Sequence, residues 1–437
     1  MIETTSSLPG RALSRRTLLA GVPALAAALS ACSGSSSGAT ATTSTSTTEA
    51  VTAVADGEAA AGSVAALAQA FYNTLDSDLQ TTVLQNYTLA NAKRWSNLPQ
   101  GLLGGGSGGM PSGGSSGMPS GASGMPSGST GDASGMPSGM PSGGPGGSSG
   151  SSGAPSGGAG GGTGGGNSTR LGVNIGQLSD DQVTALNALL EAATGTKTGL
   201  GWDEIQMHLD ADDYLGDNGG GDTYGRENFY LAILGSPQDS GTWELQFGGH
   251  HLAVANTYTD GVLVGATPAF RGIEPNGQFT WDGKTEKVLK VKEKAFTAVL
   301  AALSTAEQKS AKLADTYSDL VLGPGNDWTF PTDKEGIQVS KLPAATKKLV
   351  LAAIATYVDD IADDDAATIL KKYESELDDT YLAFSGTTKL TEKDDYVRID
   401  GPSVWIEYSM QNGIVLSGNH PHTVWRDRTT DYGGTQS

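Results

Sequence analysis

A long low-complexity tract limits how much of this 437-residue chain can fold. Residues 104–168 consist almost entirely of Gly, Ser, Pro, Met, Ala and Thr, and they are much richer in Gly than the rest of the chain. A segment with so little apolar surface cannot offset the entropy that is lost on folding. We therefore predict a disordered insertion here, which leaves about 310 residues to form one domain with a proper core.

The insertion carries a repeat that has two interpretations. The sequence Met-Pro-Ser-Gly begins at Met110, Met118, Met125, Met136 and Met140. Thioether sulfurs suit Cu(I), but copper-binding tracts usually add His or Asp ligands, and this tract contains no His. We favour the expansion of a repeat inside a flexible loop.

The N-terminus has the features of a bacterial export signal. Arg15 and Arg16 precede an apolar run over 20–29 and resemble a twin-arginine signal, and residues 29–32 (Leu-Ser-Ala-Cys) resemble a lipobox. The run is too short to span a bilayer as a permanent helix. We predict a signal peptide over 1–31, lipidation of Cys32 and a flexible tether over 32–62. Together they indicate an extracytoplasmic lipoprotein that its lipid anchors to the bacterial cell membrane.

Charge and cysteine content exclude several classes of protein. The formal net charge is −20, so we expect no nucleic-acid partner, because phosphate binding needs clustered Lys and Arg. Cys32 is the only cysteine, which rules out a disulfide framework. Besides the membrane, the expected partner is a small molecule of unknown type. The sequence leaves the oligomeric state open.

Helical patterns open the foldable part of the chain and return later. Helices are predicted over 63–98, from Ser77, Ser179 and Ser304 onward in phrases that resemble capping boxes, and over 284–302 and 344–358. The low-complexity tract separates the first of these helices from the Ser179 helix. We therefore treat 63–103 as the helical start of the same core domain whose main part is 169–437.

Strand-like runs, rich in β-branched and aromatic residues, cluster in two parts of the chain. They lie at 229–234, 243–247, 251–258, 262–270, 396–399, 404–410 and 422–426. A Thr-Asp-Gly turn at 259–261 is expected to join two of them as a hairpin. Runs of strands flanked by runs of helices predict an α+β fold, with an antiparallel sheet flanked by helices in a single large domain.

Several motifs lie in and around these runs. They are Tyr224-Gly225, Phe229–Ala232, Trp243–Leu252 with Asn256, Thr267–Phe270, Arg398–Pro402, Ile406-Glu407, His420–Thr423, Arg426-Asp427 and Asp431–Gly433. In these motifs the chain resembles a secreted bacterial and fungal family known as domain of unknown function 3500. The resemblance covers roughly 64–433, and the Met-Pro-Ser-Gly insertion is a departure from it. It implies family membership and an extracytoplasmic setting, but no mechanism.

Four of the five histidines form two close pairs within the motifs. His420 and His422 are two residues apart at the start of a strand, so they share one face and suit two ligands of a Zn, Cu, Fe or Mn ion. His250 and His251 are adjacent, so in a regular strand they point to opposite faces and only one of them can join the first pair. Glu407, on the preceding strand, is a candidate carboxylate ligand or general base.

The same residues support other interpretations. The four paired histidines could instead line a metal-free polar pocket or serve only as structural hydrogen-bonding groups. The sequence therefore does not determine whether the protein binds a metal cofactor. Arg426 and Asp427 are candidate catalytic residues, but with Asp431 they also fit a structural ion-pair lock. His208, between apolar neighbours on a predicted helix, is interpreted as an ordinary core or surface histidine.

Candidate ligand-binding residues lie in the same motifs. They are Trp243, Gln246, Asn256 and Tyr432, and Gln246 shares a strand face with His250. Aromatic side chains in the motif region suit a cleft for a sugar or another flat ligand. These aromatic residues are Trp202, Tyr224, Tyr230, Trp243, Tyr258, Trp405, Tyr408 and Trp425.

Two acidic clusters receive ordinary interpretations. Five Asp residues crowd a Gly-rich stretch over 210–222, but their spacing does not fit an EF-hand. The Asp run over 359–365 is predicted to be solvated surface that follows a helix.

Two functions follow from these patterns. The first is a membrane-anchored, metal-dependent enzyme, either a hydrolase or an oxidoreductase, that uses the clustered histidines. The second is a lipid-anchored binding module with an aromatic-lined cleft and no catalysis.

Overall fold

The computed structural model describes residues 59–100, 103 and 170–434. The predicted signal peptide (1–31), Cys32, most of the tether and the insertion 104–168 lie outside these residues, and so do the predictions made for them. The described residues belong to one body, and its helices and large sheet make it an α+β fold, as predicted.

Helices begin the described chain and recur between its strands. Their bounds are α1 (Val64–Thr74), α2 (Ser77–Val83), α3 (Leu89–Ala92), α4 (Asp180–Ala193), α5 (Gly201–Leu215), α6 (Lys290–Ala302), α7 (Thr305–Ala311), α8 (Ala344–Val358) and α9 (Asp363–Ser375). Capping boxes at Ser179 and Ser304 begin α4 and α7 as predicted, whereas Asp76 caps α2 in place of Ser77. The described residues contain no helix long and apolar enough to cross a membrane.

The strands confirm most of the predicted runs. Their bounds are β1 (Leu84–Gln85), β2 (Val173–Asn174), β3 (Tyr230–Leu234), β4 (Thr242–Gly249), β5 (Leu252–Thr259), β6 (Val262–Gly265), β7 (Ala269–Gly272), β8 (Phe279–Trp281), β9 (Lys284–Glu286), β10 (Ile337–Gln338), β11 (Tyr381–Ser385), β12 (Tyr396–Asp400), β13 (Val404–Asn412) and β14 (Asn419–Asp427).

Two predicted elements were wrong in extent. The run 262–270 is two strands, β6 and β7, because the chain leaves the sheet between them at a segment that contains Pro268, which has no N–H to donate. The helix expected from Lys284 begins six residues later, because Lys284–Glu286 pairs with β8 in a small separate hairpin. The turn at Asp260 and Gly261 does join β5 to β6, with positive φ at both residues.

Twelve of the strands form one large sheet. Its order is β1-β3-β4-β5-β7-β14-β13-β12-β11-β10, with β2 also paired to β3 and β6 to β5. All the pairs are antiparallel except β1 with β3. The middle of the sheet therefore places β14 beside β7 and next to the β4–β5 hairpin, although about 150 residues separate these segments in sequence.

The two faces of the sheet are covered differently. Helices α6, α8 and α9 pack on one half of the first face and α1, α4 and α5 on the other half, where they bury the two largest apolar clusters. Loops cover the second face, where Trp95 and Leu320 pack against Phe270 and Val424. Alternate residues of a strand share a face, so His420 and His422 lie with Val424 on the loop-covered face.

One predicted surface is partly buried. Asp360, in the Asp run after α8, is 4% exposed and its Oδ1 accepts hydrogen bonds from Lys292 Nζ at 3.0 Å and from Gly201 N at 3.1 Å. The prediction that 359–365 is solvated surface was therefore wrong for Asp360, because a buried cation from α6 reaches it. Asp363 and Asp364 are exposed at the start of α9.

Candidate metal centre

The turn of the β4–β5 hairpin carries two adjacent histidines. Gly249 at the end of β4 pairs with Leu252 at the start of β5, so His250 and His251 form the whole turn. His251 has a left-handed backbone with φ of 59°, and the two imidazole centroids are 3.7 Å apart in a stacked arrangement. The opposite faces expected for a regular strand do not occur, because a tight turn and not the pleat orients these rings.

Three histidines meet at one point on the loop-covered face. His422 Nε2 lies 3.2 Å from His420 Nε2 and 3.2 Å from His251 Nε2, and one ligand nitrogen of each residue lies within 4.8 Å of the other two. Zinc held tetrahedrally at about 2.0–2.1 Å from each nitrogen would space its ligands about 3.3 Å apart. We call His251, His420 and His422 the imidazole cluster, and all three side chains are buried.

Hydrogen atoms cannot satisfy all the nitrogens of the cluster. Asp319 Oδ1 lies 3.1 Å from His422 Nδ1, which assigns the proton to Nδ1 and leaves a single lone pair on Nε2. Two further Nε2 atoms face that lone pair, but it accepts only one hydrogen bond. His251 Nδ1 is also buried without a partner. A cation bound by the three nitrogens would remove this conflict, and the Asp319–His422 contact is the kind of support that orients a ligating imidazole.

Two imidazoles of the cluster, His251 and His420, are in the protonation state that a metal requires. Burial and the nearby His422 and His250 rings lower the pKa of His420 to about 3. Burial and the surrounding imidazoles also lower the pKa of His251 well below its ordinary value. Only a neutral imidazole has a lone pair to give to a metal, so these side chains are available as ligands at neutral pH.

Two glycines lie at close approaches near the cluster, and one of them makes room for the histidine rings. A Cβ atom at Gly272, which pairs with His422 across β7 and β14, would lie 3.0 Å from His422 Cδ2 and 3.1 Å from His251 Cγ. A Cβ atom at Gly249 would lie 2.6 Å from the ring of Phe229. A side chain at Gly272 would therefore push apart the two rings that it now allows to approach.

His250 does not join the cluster but pairs with an acid. Its Nδ1 lies 2.6 Å from Asp212 Oδ1, and Asp212 Oδ2 accepts a hydrogen bond from Gly225 N at 2.8 Å. The edge of the Tyr224 ring packs on His250 with centroids 4.8 Å apart. A proton held on Nδ1 by Asp212 leaves the Nε2 lone pair of His250 as a base beside the cluster.

The region that contains the cluster matches a known protein family. Residues 166–434 match the family described as Protein of unknown function (DUF3500). The chain belongs to this family. Comparison with curated proteins and with solved structures gives no significant match.

The DUF3500 match contains all five histidines, together with Asp212 and Asp319. The imidazole cluster is thus part of the family region and not of the low-complexity insertion. The match begins at residue 166, so the first helical segment, 63–103, lies outside it although the sequence motifs suggested a resemblance from about residue 64.

Glu407 does not face the cluster as a free base. Its Oε1 accepts hydrogen bonds from Leu322 N at 2.8 Å and Trp405 Nε1 at 2.7 Å, and its Oε2 accepts from Val321 N at 2.6 Å and Tyr396 Oη at 2.7 Å. The carboxylate is buried and occupied by four donors. In the DUF3500 fold it holds the 321–322 loop on the sheet, which is a structural role.

Arg426 and Asp427 also have structural partners. Arg426 Nε lies 2.7 Å from Asp431 Oδ2, and its other nitrogens contact Asp327 Oδ1 at 3.2 Å and Leu322 O at 3.1 Å. We call Arg426, Asp431 and Asp327 the arginine lock. Asp427 accepts hydrogen bonds from Tyr373, Lys372, Thr429 and Thr430. The lock corresponds to the structural alternative stated for these residues.

The four candidate ligand-binding residues are not brought together. Trp243 stacks on Tyr258 in the helix-covered core, and Asn256 donates to Ala193 O at 2.9 Å. Tyr432 contacts Asp327 of the arginine lock. Gln246 lies on the loop-covered face and donates to Ala92 O at 2.8 Å.

Most of the proposed aromatic cleft is core. Of the eight aromatic residues, these five are buried: Trp243, Tyr258, Trp405, Tyr408 and Trp425. His208 is also buried, with its nitrogens 2.9 Å from Glu204 O and Gly272 O. The Asp residues of 210–222 are partly used inside the protein, since Asp210 and Asp213 pair with Arg226.

The sequence did not identify two acids that orient the histidines. Asp319 lies in an irregular loop about 100 residues before His422, and Asp212 was seen only as part of an acidic stretch. In the structure Asp212 lies one turn after His208 on α5, and both side chains are buried. The spacing of four residues was a usable signal for Asp212. No comparable signal exists for Asp319.

Proposed function

We propose that this chain is a metal-dependent hydrolase whose catalytic ion is held by His251, His420 and His422. The observation that carries the proposal is the approach of three buried Nε2 atoms, with two separations of 3.2 Å around His422. Buried polar atoms are normally paired, and protons alone leave this group underpaired. Three imidazole nitrogen donors suit Zn²⁺ and leave a fourth position open.

Hydrolysis is favoured because of what lies beside the cluster. A zinc ion in a three-histidine site supplies a water of lowered pKa near neutrality. His250, whose ring stacks on His251 and whose Nδ1 lies 2.6 Å from Asp212 Oδ1, would accept the proton of that water. Asp212 fixes the tautomer of His250, as Asp319 fixes that of His422. This division assigns three histidines to binding and one to proton transfer.

Sequence features support a setting outside the cytoplasm for this enzyme. The twin-arginine and lipobox features support export and attachment at Cys32, and the net charge of −20 supports attachment through lipid and not through a basic surface. The hydrolase would then act on a small molecule outside the cytoplasm.

Paired variants separate binding from chemistry. The purified chain is loaded with zinc and assayed with 4-nitrophenyl acetate and bis(4-nitrophenyl) phosphate as probes. We expect His250→Gln to keep its zinc and lose about 10²–10⁴-fold in rate, whereas His422→Ala loses both zinc and rate. The conservative change Asp212→Asn should act like His250→Gln, but more weakly.

The same assay can overturn the proposal. Stoichiometric zinc without turnover of either probe, in wild type and variants alike, would contradict a hydrolase. Turnover that survives His422→Ala would contradict this site. Turnover of neither probe together with ligand binding would favour the non-catalytic binding module, and oxygen-dependent turnover with copper would favour an oxidoreductase.

A further inference from the structure

A small recess opens on the loop-covered face beside the β4–β5 hairpin. Its space, counted together with the solvent at its open mouth, is about 320 Å³, and it is lined by Arg94, Trp95, Ser96, Arg170 and Gln246, with Leu252 and Ala253 of β5 also at its walls. Part of this volume is open solvent, so the recess has room for a ligand of only a few heavy atoms. Of the described residues that line the recess, none is acidic.

Arg170 is held rigidly at this recess by neutral acceptors. Its Nη2 nitrogen donates to the carbonyl oxygens of Ser96 at 2.9 Å, Leu98 at 2.6 Å and Gly249 at 2.7 Å. Its other terminal nitrogen, Nη1, is buried and has no hydrogen-bond partner. The guanidinium is therefore fixed in place by the loop and the hairpin, with one donor group unused.

Arg170 differs from the other buried arginines of the described chain. Each of the others has a carboxylate partner. The distances are 3.3 Å from Arg271 Nε to Glu204 Oε1, 2.6 Å from Arg398 Nη2 to Glu335 Oε2 and 2.7 Å from Arg426 Nε to Asp431 Oδ2. Among the described residues, no carboxylate forms an ion pair with Arg170. Burial lowers the pKa of Arg170 to about 10 although the nearby Tyr230 and Asp212 raise it, so Arg170 is still charged at neutral pH. A buried cation without an ion-pair partner is costly.

We propose that the recess binds a small oxyanion through Arg170 Nη1, the guanidinium nitrogen that has no hydrogen-bond partner. Carboxylate and phosphate oxygens are the acceptors that a guanidinium recognises best. Arg94 adds a second cationic side chain to the wall, and Trp95 with Ala253 offers apolar contact to a short carbon body. The ligand class is thus a small monocarboxylate or a phosphate.

The recess shares its hairpin with the imidazole cluster. Arg170 Nη2 donates to the carbonyl oxygen of Gly249, the residue that precedes His250. On the other side of the turn, Leu252, which lines the recess, follows His251. An anion bound here would lie next to the hairpin turn that carries the histidines. The oxyanion site does not rest on metal binding, and it is tested on chelator-treated, desalted protein so that its failure and that of the metal site are separate results.

Calorimetric titration with sodium acetate and sodium phosphate, against sodium chloride at equal ionic strength, measures the binding. We expect one saturable site for acetate or phosphate in wild type. Arg170→Gln should weaken it at least about tenfold, while Lys309→Gln, the same charge change on exposed α7, should leave it unchanged.

A second variant covers the case in which Arg170→Gln does not fold. Ser96→Phe fills the recess from a partly exposed position and leaves Arg170 intact, so it should also abolish binding. Binding to Ser96→Phe at wild-type strength, or no binding of either anion to wild type, would overturn the proposal. Acetate binding alone indicates a carboxylate ligand, and phosphate binding alone indicates a phosphorylated one.

Discussion

The imidazole cluster and the arginine lock both include residues of β14, His420 and His422 in the first and Arg426 in the second, on the same buried face. Their polar groups differ in how they are paired. In the lock, each nitrogen of Arg426 has an oxygen partner from Asp431, Asp327 or Leu322. In the cluster, His422 Nε2 faces two other imidazole nitrogens. Both regions lie in strong sequence motifs and both are buried. The difference is that only the cluster lacks partners that the protein itself can supply.

This contrast shows how a buried polar group can be assigned. A saturated group such as the arginine lock or Glu407 holds loops on the sheet, and its loss damages the fold. An unsaturated group such as the imidazole cluster adds nothing to the fold without a ligand, and its loss damages binding. Each prediction below tests one side of that distinction.

The largest expected effect is on the lock. Arg426→Met leaves the buried carboxylate of Asp431 without its cation, so the free energy of unfolding should fall by about 3–5 kcal/mol. Urea unfolding of the metal-free protein measures it, and zinc affinity of the folded variant should stay within about threefold. The double variant Arg426→Met with Asp431→Asn should recover part of the loss. A change under about 1 kcal/mol would show that the lock is not structural.

Glu244 is an intermediate case, because it is fully buried with hydrogen bonds from Gln246 and Thr257. Burial raises its pKa from 4.5 to about 7. The folded state thus holds this proton more tightly than the unfolded state. The stability it contributes is complete below pH 4.5 and is lost as the pH rises to about 7, which amounts to about 3 kcal/mol.

Glu244→Gln should remove that pH dependence. The quantity to measure is the difference in unfolding free energy between wild type and variant at pH 4.5 and pH 7.5. Glu191→Gln, on the exposed side of α4, is the control and should parallel wild type. If the Glu244→Gln curve also ran parallel to wild type, Glu244 would be ionised in the folded protein.

A smaller effect is expected from Gly272→Ala. The added methyl group would come within about 3.1 Å of two rings of the cluster, so zinc affinity should fall about tenfold. Gly277→Ala is the matched control, because a Cβ there meets nothing within 4 Å. Equal affinity of both variants would mean that the rings can shift without loss of the site.

Local sequence patterns predicted the parts of this molecule that local rules govern. His420 and His422 share a face because they are two residues apart on a regular strand. The position of His251 was not predictable, since the pattern of 251–258 reads as strand and does not show a turn with positive φ. Asp319 and Asp360 depend on contacts with distant parts of the chain, and local polarity alone made the Asp360 region look like surface.

Zinc binding by the metal-free protein is the most direct test of the central claim. Titration of wild type, His422→Ala and His250→Gln, followed by calorimetry and elemental analysis, should give one zinc per chain for wild type and for His250→Gln. His422→Ala should bind at least about 100-fold more weakly. Less than about 0.1 zinc per chain in wild type, or equal binding by His422→Ala, would contradict a metal centre at the imidazole cluster.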